Sequence, residues 1–305
     1  MKGLNDVELP ELVQNLSNLE WITHRSRNRS VIDDLFTLQC IELRMCSMCS
    51  KTSVNVQSMN ILSLPIPNKP GAVELSDCLS TFIAQERLGG CDGLQCSRCQ
   101  VEEQVPQTPG VSRVQSQPLS PIQPHAESLT LRSSSQFLSS TPLPGSSLNR
   151  QSVSAALSTG VSTKVLTEGV RQCLLRRLPE CLTIQLLRFS YDTSTKKIYK
   201  ICTSVAVPLQ HVDLSSVTYD STVDRDDVTI ISKSHVYSLY ALSLHMGGEN
   251  SSSGHYLAYC RGVDGCWYKF DDEEVVVVRN IELELKSANV RKNCYLLFYR
   301  KDHVG

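Results

Sequence analysis

The stretch SSSGHYLAYCRG, Ser251–Gly262, followed by CWYKFDDEEVVVV, Cys266–Val278, decides how the rest of the chain is read. Both runs carry the apolar, β-branched and aromatic residues of strands. The bridge between them, GVDG at 262–265, has the Gly and Asp that a hairpin turn wants. The pairing has a geometric consequence: His255 begins one arm, Asp271 ends the other, and antiparallel strands bring such ends side by side. A titratable ring in that place, beside an Asp pair, is two members of a nucleophile, base and acid constellation. A plainer reading competes with it, that of a satisfied histidine at a strand end.

Outward from the hairpin, CLTIQLLRFSY, YSLYALSLHM and CYLLFYRK are further strand-like runs. Upstream, LSDCLSTFIAQERLGG spaces Leu75, Cys78, Leu79, Phe82 and Ile83 on one helical face, with Ser76 as candidate N-cap and Gly89 as stop signal. Between these regions, from Gln104 on, the composition turns to Ser, Pro and Gln with Phe137 as the one aromatic. Such a segment buries too little apolar surface to offset its ordering entropy and is expected to be a disordered insert.

The whole sequence of 305 residues is 41% hydrophobic, enough for a sizeable core. Its 30 basic and 31 acidic residues nearly cancel, so no electrostatic argument points to nucleic acid or a membrane surface as partner. No apolar run approaches the roughly 18 residues of a membrane-crossing helix. The start, MKGLNDVELPELVQN, lacks the apolar core of a secretory signal. A reducing cytoplasmic or nuclear setting is the expectation, in which the 13 cysteines are thiols and metal ligands rather than disulfides.

Two C-x-x-C knuckles stand out, Cys46 with Cys49 and Cys96 with Cys99. Two such turns supply the four sulfurs of a closed tetrahedral Zn²⁺ site of structural type. The long separation means that the ion would clip two distant hairpin tips together; the competing reading is two chance pairs of buried cysteines. Cys91 fits no ligand spacing. Cys40, Cys78, Cys173, Cys181, Cys202, Cys260, Cys266 and Cys294 sit mostly in apolar surroundings and read as small core residues. His245, closing the strand before the hairpin, reads as structural.

Taken together, SVIDDLF, both knuckles, LSLPIP, the LSDCLSTFIAQERLGG helix, VRQCLLRRLPECLTIQLLRFSYD, GHYLAYCRGVDGCWYKFDDEEV and CYLLFYRK resemble, in order, the ubiquitin-specific proteases. The resemblance implies an α+β, papain-like cysteine peptidase fold in incomplete form: zinc-clipped fingers and an antiparallel palm sheet, with the thumb largely missing. It divides the chain into a remnant or irregular lead-in at 1–30, fingers at 31–103, the disordered insert at 104–169 and the palm at 170–305. It also implies a general base, His255, its orienting partner, Asp271, and a further polar group near the reacting carbonyl, Asp272. SYDTSTKKIYK and HMGGENSSSG would be mobile loops gripping a ubiquitin tail. Gly254 would leave room for that tail, and Tyr256 would wall its channel. The implied partners are ubiquitin and ubiquitinated proteins.

The sequence departs from the family where the nucleophile belongs. No cysteine precedes Cys40, and the cysteine box with its helix start and oxyanion donor has no counterpart in KGLNDVELPELVQNLSN. Two readings follow: the C-terminal portion of a deubiquitinating thiol hydrolase, inactive alone, or a non-catalytic ubiquitin-binding module keeping a relic His and Asp. A zinc-stabilised structural protein is a third, and it leaves the dyad unexplained.

Overall fold

The computed structural model describes residues 8–102, 166–219, 235–248 and 254–303. Helices α1 (Glu8–Arg27) and α2 (Val31–Phe36) precede strands β1 (Leu38–Cys46), β2 (Thr52–Met59), β3 (Leu62–Leu64) and β4 (Val73–Glu74). Then come α3 (Leu75–Ile83), β5 (Glu86–Leu88) and α4 (Ser97–Glu102). The second half holds β6 (Gly169–Arg177), β7 (Cys181–Leu186), β8 (Phe189–Asp192), β9 (Lys197–Lys200), β10 (Val205–Ala206) and β11 (Val212–Asp213). It continues with β12 (Val236–Met246), β13 (His255–Arg261), β14 (Trp267–Asp271), β15 (Glu274–Val278), α5 (Ile281–Lys286), α6 (Ala288–Asn293) and β16 (Cys294–Lys301).

Two larger sheets organise these elements. An antiparallel sheet of order β2-β1-β6-β5 carries the first knuckle at the β1–β2 turn. The larger sheet has the order β15-β14-β13-β12-β16-β7-β3, with β11 beside β12; only its β3–β7 pair is parallel. Alternate residues of the central strands, such as Leu182, Ile184 and Leu186 on β7, Leu242 and Leu244 on β12 and Leu297 and Tyr299 on β16, are withdrawn from solvent. That period-two burial is why these apolar runs fold as strands. Helix α3 adds Leu75, Cys78 and Leu79 to the same core. The knuckle cysteines form a separate small cluster with Leu94.

Several expectations are corrected. The lead-in expected at 1–30 as remnant or irregular is, from Glu8 on, mostly regular: α1 is a 20-residue helix. It lies along β2 and its neighbours, burying Val13 and Ser17 and receiving bonds from Gln39 Nε2 to the Ser17 carbonyl at 3.0 Å and from Arg177 to Asn18 at 2.8 Å. Its packed face is largely polar while Leu19 and Ile22 point outward, so hydrophobic periodicity gives no signal there. Helix α3 begins one residue before the expected cap: Glu74 is the N-cap, and Asp77 accepts from its backbone N–H at 2.7 Å. The helix ends at Ile83, and β5 intervenes before Gly89.

The SYDTSTKKIYK segment forms the β8–β9 hairpin, its turn held by Asp192 accepting from Ser194 and Thr195. The disordered insert expected at 104–169 lies outside the described residues up to 165. Its last residues are ordered, since Thr167 bridges to Leu94 and Gly169 opens β6. Cys266, expected in the core, is exposed.

Candidate active site and metal centre

The β13–β14 register pairs Ala258 with Phe270 and Arg261 with Trp267 without a shift. Continued to the strand ends, it sets Asp271 across from Leu257 and diagonal to His255 on the same face, a position from which side chains reach each other. His255 Nε2 lies 2.5 Å from Asp271 Oδ1. The second carboxylate oxygen of Asp271 accepts from Lys269 Nζ at 3.1 Å. Lys269 was not singled out in the sequence, although its place two residues before Asp271 puts it on that face by strand period alone. Asp272 occupies the first position of the two-residue β14–β15 turn with φ +52°, a left-handed conformation that Asp tolerates. His255, Asp271 and Asp272 bring their polar atoms within 4.8 Å of one another.

Asp271 raises the pKa of His255 above its ordinary value through their hydrogen bond, against a smaller opposing effect of desolvation. The same bond, with help from Lys269, holds the Asp271 carboxyl below the usual carboxylate range. With Asp271 ionised, the neutral ring carries its proton on Nε2 and its lone pair on Nδ1. The arrangement leaves Nδ1 as the ring atom that can accept a proton.

Behind the dyad sits an aromatic cluster of which His245 and Tyr256 stand out in the sequence and Phe189 and Tyr295 do not. The His245 ring meets Phe189 and Tyr256 edge-on, each at 5.0 Å between centroids, and Tyr295 packs against both Phe189 and Tyr256. His245 is buried, and desolvation followed by the Lys200 charge lowers its pKa, so it stays neutral. Lys200, also buried, donates to the His245 carbonyl at 2.5 Å, the Gly247 carbonyl at 3.1 Å and Asn293 Oδ1 at 2.7 Å. Gly254 has a reason beyond channel width: a Cβ there would fall 2.0 Å from His245 Nε2. The glycine is what lets the chain cross this ring on its way to His255. The HMGGENSSSG loop lies outside the described residues from 249 to 253.

The second constellation sits at the end of the smaller sheet. Cys46 ends β1 and Cys49 follows in the β1–β2 turn, so this knuckle is a hairpin tip as expected. The other is a loop-to-helix turn instead, with Cys96 just before α4 and Cys99 in its first turn. Cys46 Sγ is 3.8 Å from Cys99 Sγ, Cys49 Sγ is 3.5 Å from Cys96 Sγ, and the four sulfurs lie within 4.8 Å of one another. Tetrahedral thiolate ligation with bonds of about 2.3 Å places sulfurs about 3.8 Å apart. The set therefore fits a metal ion.

Protonation argues the same way. Burial opposes the Cys46 thiolate, but hydrogen bonds from Thr167 and from the Cys49 and Met48 backbone outweigh it and lower its pKa to about 6. Burial and the neighbouring sulfurs push Cys99 up to about 12. Sulfurs this close cannot all ionise unless a cation sits among them.

An α+β fold with a mostly antiparallel sheet presenting a His/Asp dyad, joined to a second sheet ending in a four-cysteine cluster, defines a papain-like cysteine peptidase scaffold. The chain matches the family model described as ubiquitin carboxyl-terminal hydrolase over residues 4–299, and it belongs to that family. Among solved structures it is similar to a chain of the SAGA Ubp8/Sgf11/Sus1/Sgf73 DUB module bound to ubiquitin aldehyde, at 17% identity and TM-score 0.55, with 97% of this chain and 48% of that chain covered. It is likewise similar to a chain of the yeast SAGA DUB module, at 18% identity and TM-score 0.56, covering 97% and 50%. A SAGA DUB module bound to monoubiquitin matches at 18% identity and TM-score 0.55, covering 97% and 48%. The chain thus spans about half the length of these solved relatives.

Proposed function

We propose that this chain supplies the base and orienting acid of a cysteine-type deubiquitinase, a thiol hydrolase that cuts the peptide or isopeptide bond after the C-terminal glycine of ubiquitin. The observation that carries the reading is the 2.5 Å contact between His255 Nε2 and Asp271 Oδ1, which aims Nδ1 as the proton acceptor. Asp271 fixes the tautomer and steadies the imidazolium. Asp272, at the same strand end, is the further polar group near the reacting carbonyl.

The thiol that this base would deprotonate is not in the sequence at hand. Cys40 is its first cysteine, and it is buried on β1, where its thiol donates to Met59 Sδ at 3.9 Å and burial raises its pKa to about 12. Among the described residues, the ligand-type side chains that gather with His255 are Asp271 and Asp272. In this reading the polypeptide by itself has a base without a nucleophile, and covalent catalysis does not start.

Ubiquitin and ubiquitinated proteins are the proposed partners, supported by relatives described as bound to ubiquitin aldehyde and to monoubiquitin. A structural Zn²⁺ held by Cys46, Cys49, Cys96 and Cys99 would complete the fingers, closing four positions and leaving none for chemistry. A reducing compartment, cytoplasm or nucleus, suits thirteen cysteines of which none forms a disulfide. The missing thiol also favours a second reading, that of a non-catalytic ubiquitin-binding module.

One experiment separates the two. The chain should neither cleave a fluorogenic ubiquitin substrate nor be labelled by a ubiquitin probe with a thiol-trapping group. The same chain preceded by a family-type cysteine helix should do both and lose both on His255→Ala. Turnover by the present chain would refute the absence of a nucleophile. Ubiquitin binding with persistent inactivity of the extended form would decide for the binding module.

A further inference from the structure

Strand β15 is the edge of the larger sheet, pairing with β14 on one side only. Natural edge strands are short, bulged, charged or covered, because their free N–H and C=O groups template pairing with another chain. This one runs through Val275, Val276 and Val277, exposed by 54%, 47% and 56%. Phe270, cross-strand from Val275, is also exposed. No charged residue interrupts the valines; Glu273 and Glu274 precede them and Arg279 follows Val278.

The register tells which backbone groups are open. Asp271 pairs with Glu274 across a two-residue turn, which makes them a hydrogen-bonded pair. Alternation then turns the N–H and C=O of Glu274, Val276 and Val278 toward β14 and those of Val275 and Val277 toward the open edge.

We propose that this edge is a self-association surface, with β15 of one copy pairing antiparallel with β15 of a second copy about a two-fold axis through Val276. Opposite residues in an antiparallel ladder must both present their backbone groups, and this register obeys the rule. Val275 faces the second copy's Val277 in two equivalent hydrogen-bonded pairs, and Val276 meets its own counterpart between them. The same register brings Glu273, in the turn just before β15, near the second copy's Arg279, just past the end of its β15, on both sides of the axis. Neither residue has an ion pair within the chain among the described residues. Centring the axis on Val277 instead would set Val275 against Arg279 and leave Glu273 without a partner. The charge pattern therefore selects one register and one occupant, a second copy of this strand. Because β14 carries Asp271, the second copy would lie roughly two strand spacings, about 10 Å, from the strand bearing the acid of the dyad.

The test is sedimentation equilibrium of the chain across concentration, with amide exchange at Val275 and Val277. The weight-average mass should rise from 33.9 kDa toward twice that value, and both amides should gain protection as it does. Val276→Lys sets two like charges on the axis and should leave a folded monomer. Glu273→Arg and Arg279→Glu should each weaken association about tenfold, and the double reversal should restore it. The reversals keep the test independent of Val276→Lys should that variant misfold. A chain that remains monomeric up to about 200 µM, or an association that ignores the charge reversals, overturns the proposal.

Discussion

Cys96→Ser should release the tip of the smaller sheet while leaving the larger sheet intact. Cys96 is buried and lies 3.5 Å from Cys49, a residue 47 positions away, so ligation by this pair closes a long loop. A cross-link over that span removes about 4 kcal/mol of unfolded-chain entropy in the loop-closure model. Structural zinc binding is worth about 10 kcal/mol or more in small domains, so the closure lasts only while the ion is held. Serine is a poor ligand, and three thiolates do not complete the shell.

The cysteine cluster is separate from the main core, so the loss should be local. Its reporters are the Leu94 and Thr167 amides, which bond each other's carbonyls at 2.7 and 2.9 Å beside the cluster. Losing about 4 kcal/mol from the opening equilibrium corresponds to exchange faster by up to about a thousandfold. Metal analysis should fall from about one zinc per chain to nearly none, and a chelator should have the same effect on the parent. Unchanged exchange at Leu94 and Thr167 in the metal-free protein would refute the reasoning. So would simultaneous loss of protection in β12 and β16, which would make the ion a global rather than a local clamp.

Ring-proton NMR of His255 should show a pKa above the ordinary 6.5, returning toward it in Asp271→Asn. In linkage terms, the raised imidazole stabilises the fold fully below 6.5 and stops doing so as pH rises through its folded value; the lowered carboxylate stabilises above 3.8 and stops as pH falls through its folded value. The bond's contribution should therefore be greatest and level between those ordinary values, and a stability difference between the parent and Asp271→Asn that stays unchanged as pH is carried below 3.8 and above 6.5 would contradict it. Gly254→Ala should destabilise by about 1–3 kcal/mol, because the new methyl meets the buried His245 ring, and trimming that ring in His245→Ala should recover much of the loss in thermal melts.

The parts legible in the sequence are those whose signal is local. The hairpin could be read because strand periodicity, a Gly/Asp turn and two strand ends all lie within 255–271. The knuckles were legible because C-x-x-C spacing encodes a turn. By contrast, α1 packs with Ser17, Asn18 and Gln14, whose partners Gln39, Arg177 and Arg176 come from distant strands, so its buried face does not look apolar. The β8–β9 hairpin likewise hid behind a run of Thr, Ser and Lys that reads as loop, its turn being set by Asp192. The stacking of Gly254 on His245 depends on where β12 ends relative to β13, which no local pattern states.

Arg188 has a consequence for how the larger sheet comes together in time. Its guanidinium is wholly buried and makes no ion pair with a carboxylate among the described residues. Its donors go instead to the carbonyls of Cys294 at 2.5 Å, Ile201 at 2.9 Å, Thr203 at 3.0 Å and Arg291 at 2.9 Å. Those acceptors lie on chain segments up to 106 residues away. Until every segment has arrived, a half-assembled sheet holds a desolvated cation with too few acceptors, which is costly in an apolar interior. Intermediates lacking the C-terminal segment should therefore stay sparsely populated. The sheet is expected to assemble in one cooperative step that waits for the α6–β16 segment bearing Arg291 and Cys294.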